Sequence, residues 1–326
     1  LEPTPGNERG RILAALNSLR PGGSTAGAEG LRQAYALAEQ NFNRNSVNRI
    51  IIGTDGDFNV GISNPEQLQD FVSRQRDTGI FLSVFGFGGG NYNDALMQRL
   101  AQNGNGVAAY IDTVNEARRV LRDEMASNMF TIASDVKIQV EFNPARVAEY
   151  RLIGYETRML RREDFNNDEV DAGEIGAGHS VTAIYEIVPV GGATFNDELR
   201  YQPSPQAQSG TAGELAFLRI RYKLPGEDES RLIERPITNA DMVADISRAN
   251  ESARWATAVA GYGQLLRGDP YLTRGYGWDD VITLAQSARG DDEFGWRAEF
   301  IQLARAAQSA AAMNPLQPPT RREGSR

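Results

Sequence analysis

The order of hydrophobic and polar positions over residues 7–126 predicts alternating helices and strands. Three short runs are almost wholly apolar and rich in β-branched residues, which is typical of parallel strands covered on both faces. They span residues 48–54, 80–86 and 107–112. Apolar residues at helical spacing predict amphipathic helices over residues 7–19, 25–42, 65–78, 91–102 and 113–128. Strands joined by single helices favour right-handed βαβ units and a doubly wound, mostly parallel sheet.

The first two of these helices each carry an apolar stripe. We expect both stripes to point into the core of the sheet domain. The residues concerned are Ile12, Leu13, Leu16 and Leu19 in the first helix, and Leu31, Tyr35 and Ala38 in the second.

The pattern changes at about residue 131. Apolar and polar residues alternate over residues 135–142, 180–188 and 214–224, which predicts strands with one solvated face. Stretches at 189–195 and 202–213 that contain Pro, Gly or Ser predict the loops between them. An antiparallel sheet or a β-sandwich-like domain follows from this pattern.

Residues 238–313 return to helical spacing, and the last residues are predicted to be disordered. Three apolar stripes are interpreted as core packing rather than a ligand pocket. They comprise Trp255, Val259, Tyr262 and Leu266; Trp278, Val281, Ala285 and Ala288; and Trp296, Phe300, Leu303 and Ala307. The predicted division is a sheet domain over 1–130, a β-domain over 131–237, helices over 238–314 and a tail over 315–326.

Composition narrows the possible functions. The net charge of −9 argues against nucleic acid as the main partner. No run of about 18 apolar residues occurs, so we expect no transmembrane segment. The chain has no cysteine, which excludes disulfides and thiolate chemistry, and its one histidine is His179. Almost all basic residues are arginines, because lysine occurs only at Lys137 and Lys223.

Two short motifs could bind a metal ion. One is GGSTA at residues 22–26, at the predicted start of a helix, and the other is TDGDFN at 54–59, directly after a predicted strand. Ligands of open α/β sheets bind beyond the carboxyl ends of the strands, which is where Asp55 lies. A carboxylate and the Thr25 hydroxyl are hard oxygen ligands that suit Mg²⁺ or Mn²⁺.

With these motifs, residues 7–126 resemble the von Willebrand factor type A (VWA) family. The metal-ion-dependent adhesion site of that family takes ligands from an Asp-x-Ser-x-Ser motif, from a loop threonine, and from an aspartate in a Thr-Asp-Gly run. Thr25 matches the second part and Asp55 the third. The resemblance implies that both bind the metal ion, with Ser24, Asp57 and Asn59 beside it.

The chain departs from the family pattern in two ways. Asp-x-Ser-x-Ser is absent, and three strands are predicted where the family has six. We expect the other three strands, and the rest of the metal site, to lie upstream of Leu1. A decayed metal site on an intact scaffold is the alternative.

Each candidate residue also has a purely structural interpretation. Asp55 could be a turn residue after a strand, and Thr25 or Ser24 a plain helix N-cap. Asp164, Asn166 and Asp168 occupy three positions of a calcium loop, but Glu169 replaces its glycine and Ile175 its glutamate.

We therefore favour a solvated acidic loop over a calcium site at Asp164–Asp168. The GFGGG run at residues 86–90 is interpreted as a turn at the sheet edge rather than a nucleotide site. His179 is interpreted as a residue at the start of a strand.

The resemblance implies a non-enzymatic, metal-dependent protein-binding module. Mg²⁺ or Mn²⁺ would bridge to a carboxylate offered by a partner protein. The order of VWA domain, β-rich region and helices resembles that of bacterial envelope proteins. This resemblance implies an envelope or periplasmic location, with a lipid anchor on the precursor. A cytoplasmic location is the alternative. The alternatives are a subunit that acts with an AAA+-type ATPase in assembly, and a metal-dependent hydrolase.

Overall fold

The structure is a computed structural model. It describes residues 1–20, 27–55, 65–88, 93–124, 127, 129–155, 159–170, 172–196, 213–272 and 275–313. The chain divides into two compact units. Unit 1 comprises Leu1–Ile132 and Gly176–His179, and unit 2 comprises Ala133–Ile175 and Ser180–Arg326. The four-part division above stays a prediction.

Unit 1 contains a three-stranded parallel sheet, as predicted. Its strands are β1 (Asn48–Thr54), β2 (Ile80–Phe87) and β3 (Ala108–Ile111), in that order across the sheet. The same unit contains the helices α1 (Arg9–Ser18), α2 (Gly27–Gln40), α3 (Pro65–Asp77), α4 (Asp94–Asn103) and α5 (Val114–Arg118). Two helix starts are capped by side chains: Asn93 accepts from Leu96 N, and Thr113 accepts from Glu116 N.

The core of unit 1 lies between the sheet and helices α2, α3 and α4. Its buried residues are Leu31, Tyr35, Leu68, Val72, Ile80, Leu82, Val84, Met97, Leu100 and Ala101. Leu31 and Tyr35 confirm the predicted inward face of the second helix. The predicted inward face of the first helix is wrong for this structure, because α1 buries none of its residues and Leu13 and Leu16 are exposed.

The helix predicted over residues 113–128 is also wrong in detail. The α-helix ends at Arg118 and continues as a π-helix over Arg119–Asp123. Glu124 N donates to Arg119 O at 2.9 Å, which closes the wider turn. The Arg119 guanidinium binds the carboxylates of Glu116 and Glu124 and so ties together both sides of this turn.

Tyr35 supplies a first testable prediction. It is 1% exposed, its hydroxyl has no hydrogen-bond partner among the described residues, and burial raises the pKa of this hydroxyl. We expect Tyr35→Phe to stabilise unit 1 by about 1 kcal/mol, because it removes a buried polar group that gains no bond. Urea unfolding followed by circular dichroism measures this. Tyr110→Phe is the control. It is expected to destabilise unit 1, since it removes a hydroxyl that donates to Gly88 O. A destabilised Tyr35→Phe would contradict the prediction.

The β-rich region forms two sheets. The four-stranded sheet has the order β6 (Gly173–Gly176), β4 (Thr131–Phe142), β8 (Glu214–Lys223) and β9 (Arg231–Thr238), and β5 (Val147–Ile153) pairs with β7 (Ile184–Pro189). The pairs β4–β8, β8–β9 and β5–β7 are antiparallel, as predicted. The Phe142 ring contacts Tyr150 and Tyr185, with centroids 4.5 and 5.3 Å away, so β4 packs against the two-stranded sheet. A full sandwich stays a prediction.

The helices of unit 2 are α6 (Glu251–Arg267), α7 (Trp278–Ser287) and α8 (Trp296–Met313). Their buried core is Ala258, Val281, Ile282, Ala285, Ile301 and Ala304. The stripe that begins at Trp278 is confirmed by buried Val281, Ala285 and Ala288. The other two stripes are partly wrong, because Val259, Leu266 and Leu303 are exposed.

Asp269 lies just after α6 and connects the helices to the two-stranded sheet. Its side chain is 3% exposed and accepts from Arg151 Nη1 and from Tyr271 N, both at 2.9 Å. Arg151, on β5, also pairs with Glu186 on β7 at 2.6 Å and lies over the Tyr271 ring. A carboxylate at a helix C-terminus faces the negative end of the helix dipole, so the arginine is needed to hold Asp269 there.

Candidate metal centre

Asp55 lies at the carboxyl end of β1, where the sequence predicts it. The strand ends at Thr54, which is 8% exposed, and Asp55 is the first exposed residue beyond it. Thr54 lies opposite Gly86 on β2, and Gly86 lies opposite Tyr110 on β3. The carboxyl ends of all three strands therefore meet at one edge of the sheet, which we call the carboxyl edge.

The neighbour of Asp55 on this edge is Gly88. A Cβ atom built on Gly88 would lie 3.9 Å from the Asp55 Cβ, so the residue after β2 faces Asp55 directly. Gly88 has a φ of +79°, a backbone conformation that favours glycine. The Tyr110 hydroxyl donates to Gly88 O and ties the end of β3 to this turn. No local motif in the sequence marks Tyr110 for this contact.

The carboxyl edge also exposes an aromatic ring. Phe87 is 39% exposed, and one of its ring carbons lies 3.3 Å from the Cβ position of Gly53. The Phe87 ring thus covers β1 at Gly53, two residues before Asp55. A side chain at residue 53 would push this ring away. Asp112 follows β3 on the same edge and is exposed.

Thr25, the other predicted ligand, lies outside the described residues. So do Ser24, Asp57 and Asn59, which are predicted to lie beside the ion, and the end of the GFGGG turn. Within the described ranges, three or more His, Cys, Asp or Glu side chains are nowhere grouped in a way that could hold a metal ion. The described residues thus supply one oxygen ligand of the predicted site, Asp55.

The acidic loop and the histidine lie in other parts of the structure. Residues Arg162–Asn166 form a 3₁₀-helix, and the Asp168 carboxylate accepts from Ser230 N at 3.2 Å. His179 is exposed in a turn before β7, where its backbone N–H donates to Gly176 O. Across the described part of the chain, every helix is too short or too polar to cross a membrane.

Comparison with known proteins identifies the family. Residues 127–310, more than half of the chain, match the family model described as "Uncharacterized protein YfbK, C-terminal". Residues 4–123 match the von Willebrand factor type A domain. The chain belongs to the YfbK C-terminal family and carries a VWA domain. VWA domains generally mediate protein–protein interaction, and the match over residues 4–123 suggests this role for the first part of the chain.

A curated relative supports this assignment. The chain is 48% identical over 299 residues to "Uncharacterized protein YfbK" of Escherichia coli (strain K12), a match that covers 91% of this chain and 51% of that protein. The chain therefore spans about half the length of the curated relative it matches.

Similarity to solved structures is low in sequence identity. A von Willebrand factor type A structure from Catenulispora acidiphila covers 92% of this chain and 67% of its own, at 15% identity and a TM-score of 0.41. BatB from Bacteroides thetaiotaomicron covers 33% of this chain and 60% of its own, at 22% identity and a TM-score of 0.25. Scores at this level add nothing to what the family models show.

Proposed function

We propose that this YfbK-family chain contributes a metal-ion-dependent protein-binding module. Mg²⁺ or Mn²⁺ would be held by Thr25 and Asp55, and a carboxylate of a partner protein would complete the coordination. The observation that carries the proposal is the position of Asp55. It is an exposed carboxylate at the carboxyl edge of a parallel sheet, inside the stretch that matches the VWA model.

The neighbourhood of Asp55 supports a binding role. Gly88 carries no side chain that could cover the carboxylate, and the Tyr110 contact fixes the backbone beside it. A hard divalent cation accepts six oxygen ligands, so a site with few protein ligands leaves positions for a partner carboxylate. A location in the bacterial cell envelope belongs to the same proposal.

The alternatives from the sequence remain hypotheses without a specific observation in their favour. A metal-dependent hydrolase would turn over phosphate or carboxyl esters with Mn²⁺. A subunit that serves an AAA+-type ATPase would co-purify with it.

The proposal is tested by thermal unfolding of the full-length protein in Mg²⁺, Mn²⁺ or EDTA. A ligand at 100 times its dissociation constant stabilises the folded state by about 2.7 kcal/mol. We expect such a stabilisation, and we expect Asp55→Ala to abolish it. Asp112→Ala is the matched control, because it removes an exposed carboxylate from the same edge and should leave the metal response intact.

Two outcomes would count against the metal site. If the unaltered protein has the same melting curve in metal and in EDTA, the chain shares the VWA fold but lacks its metal site. A full metal response in Asp55→Ala would show that the ion binds elsewhere.

A further inference from the structure

The two lysines of the chain lie on one face of one sheet. Lys137 on β4 is opposite Arg221 on β8, and Lys223 is two residues further along β8. Like charges on neighbouring strand positions destabilise a sheet unless negative groups lie between them. Three cations on one face therefore need a partner.

The acidic loop, Asp164–Asp168, provides that partner. The Lys137 ammonium group donates to Asn167 O, and Lys223 Nζ donates to Asp168 O at 2.8 Å. Arg221 Nη1 lies 3.6 Å from the Asp168 carboxylate. Both lysines thus bind main-chain carbonyls of the same loop, which are the kind of oxygen that a calcium ion takes in a calcium loop.

Asp135 completes the cluster through a bulge in β4. The register shifts between Ser134 and Lys137, and Asp135 has a φ of +51°. A bulge can redirect a side chain that would otherwise face the other way. The Asp135 carboxylate lies 2.8 Å from Lys223 Nζ and also accepts from Ala172 N, just beyond the loop.

The electrostatics agree with this arrangement. Lys137 is 3% exposed, and burial lowers its pKa. The hydrogen bond to Asp135 raises the pKa of Lys223, while hydrogen bonds from Ser230 lower the pKa of Asp168. Lys137, Arg221 and Lys223 face the carboxylates of Asp135, Asp168 and Asp228, so these carboxylates are already balanced by protein cations and an added divalent cation would gain little.

We propose that Lys137 and Lys223 form an internal cation pair that takes the place of a metal ion and holds the acidic loop on the sheet. The ammonium group suits this role because it is compact and directs three donors to separate oxygens, whereas the planar guanidinium of arginine suits paired carboxylate oxygens. The inference is independent of the proposed metal centre, which lies in unit 1. It also explains why an arginine-rich chain has lysine at these two positions.

Hydrogen–deuterium exchange of the full chain tests this inference, with and without 10 mM Ca²⁺ or EDTA. We expect the amides of the acidic loop, Ala172 and Ser230 to exchange slowly. Neither calcium nor EDTA should change their exchange rates. Lys223→Met and Lys137→Met should each speed their exchange by about 10- to 100-fold, since each removes hydrogen bonds from a charged donor. Arg219→Met is the matched control, because it removes an exposed cation from β8 whose partner is Glu234.

Amine acylation followed by mass spectrometry gives a second measurement that needs no variant. With only two lysine side chains, each modification is assigned directly. We expect both lysines to react at least about tenfold more slowly in the folded chain than in urea, in proportion to the rare opening of the loop. Rapid acylation in the folded chain, unchanged exchange in Lys223→Met, or protection of the loop by calcium would each overturn the inference.

Discussion

Gly106→Ala is expected to destabilise unit 1 by about 3–5 kcal/mol. A Cβ atom built on Gly106 would overlap the carbonyl group of Leu82 and lie 3.0 Å from Ser83 N. These are backbone atoms of the central strand β2, so no side-chain rotation can relieve the overlap. The chain around Gly106 is also held in place, because Gly106 N donates to Ala101 O and Leu82 N donates to Gly104 O.

The measurement is amide exchange over β2 and α4, which reports on unit 1 directly. All three tryptophans lie in the helices of unit 2, so their fluorescence follows the other unit in the same sample. Gly30→Ala is the matched control. Gly30 lies exposed on α2 with no atom within 4 Å of its Cβ position, and alanine there should stabilise the helix by about 0.5–1 kcal/mol. Native exchange rates in Gly106→Ala would show that the strand can move aside.

Asp269→Ala is expected to destabilise unit 2 by about 3–5 kcal/mol, as removal of one partner from a buried ion pair does. The variant leaves Arg151 with Glu186 alone and removes the acceptor of Tyr271 N. Urea unfolding followed by tryptophan fluorescence measures the change. Glu234→Gln serves as the control, because its ion pair with Arg219 is exposed and should contribute no more than about 1 kcal/mol.

The same carboxylate predicts acid sensitivity. Burial alone would raise the pKa of Asp269, but the hydrogen bonds from Arg151 and Tyr271 N outweigh it, and the pKa is lowered. A group with a lowered pKa in the folded state contributes its full stability above the pKa of the unfolded chain, about 3.9. This stability is lost as the pH falls from about 4 through the folded pKa. Asp269→Asn should flatten the dependence of unit 2 stability on pH in this range; an unchanged slope would contradict the assignment.

The sequence predicts the parallel sheet well for a physical reason. Each strand is a nearly continuous apolar run, so β1 to β3 are visible without knowledge of their partners. The expected burial on both faces is confirmed for β2 and wrong for β1, where Ile51 is exposed. Strand β9 has no such signal. It lies at the edge of its sheet with most residues exposed, and only its pairing with β8 defines it.

Helical stripes predict which face is apolar but not what covers it. Tyr35 is buried because β2 and α3 pack over α2, whereas Leu13 in α1 also belongs to an apolar stripe at helical spacing and stays exposed. The covering surface is a property of the fold, and hydrophobic spacing alone does not contain it.

The candidate sites show the same limit. Asp55 could be placed from the strand that precedes it, but its neighbour Gly88 comes from the next strand and depends on sheet register. The spacing of acidic residues in the acidic loop is similar to that of a calcium site. The cations that lie beside this loop in the fold are distant from it in sequence. Lys137 and Lys223 reach the loop only through the pairing of β4 with β8.

The π-helix after α5 has a mechanical consequence. Its hydrogen bonds span one residue more than those of an α-helix, so the segment contains one extra residue. If the wide turn moves along the helix, each residue that it passes rotates by about 100° relative to the sheet. Because each such step would exchange one wide-turn hydrogen bond for another, movement of the turn within Val114–Asp123 would change the face that this helix presents without unwinding it.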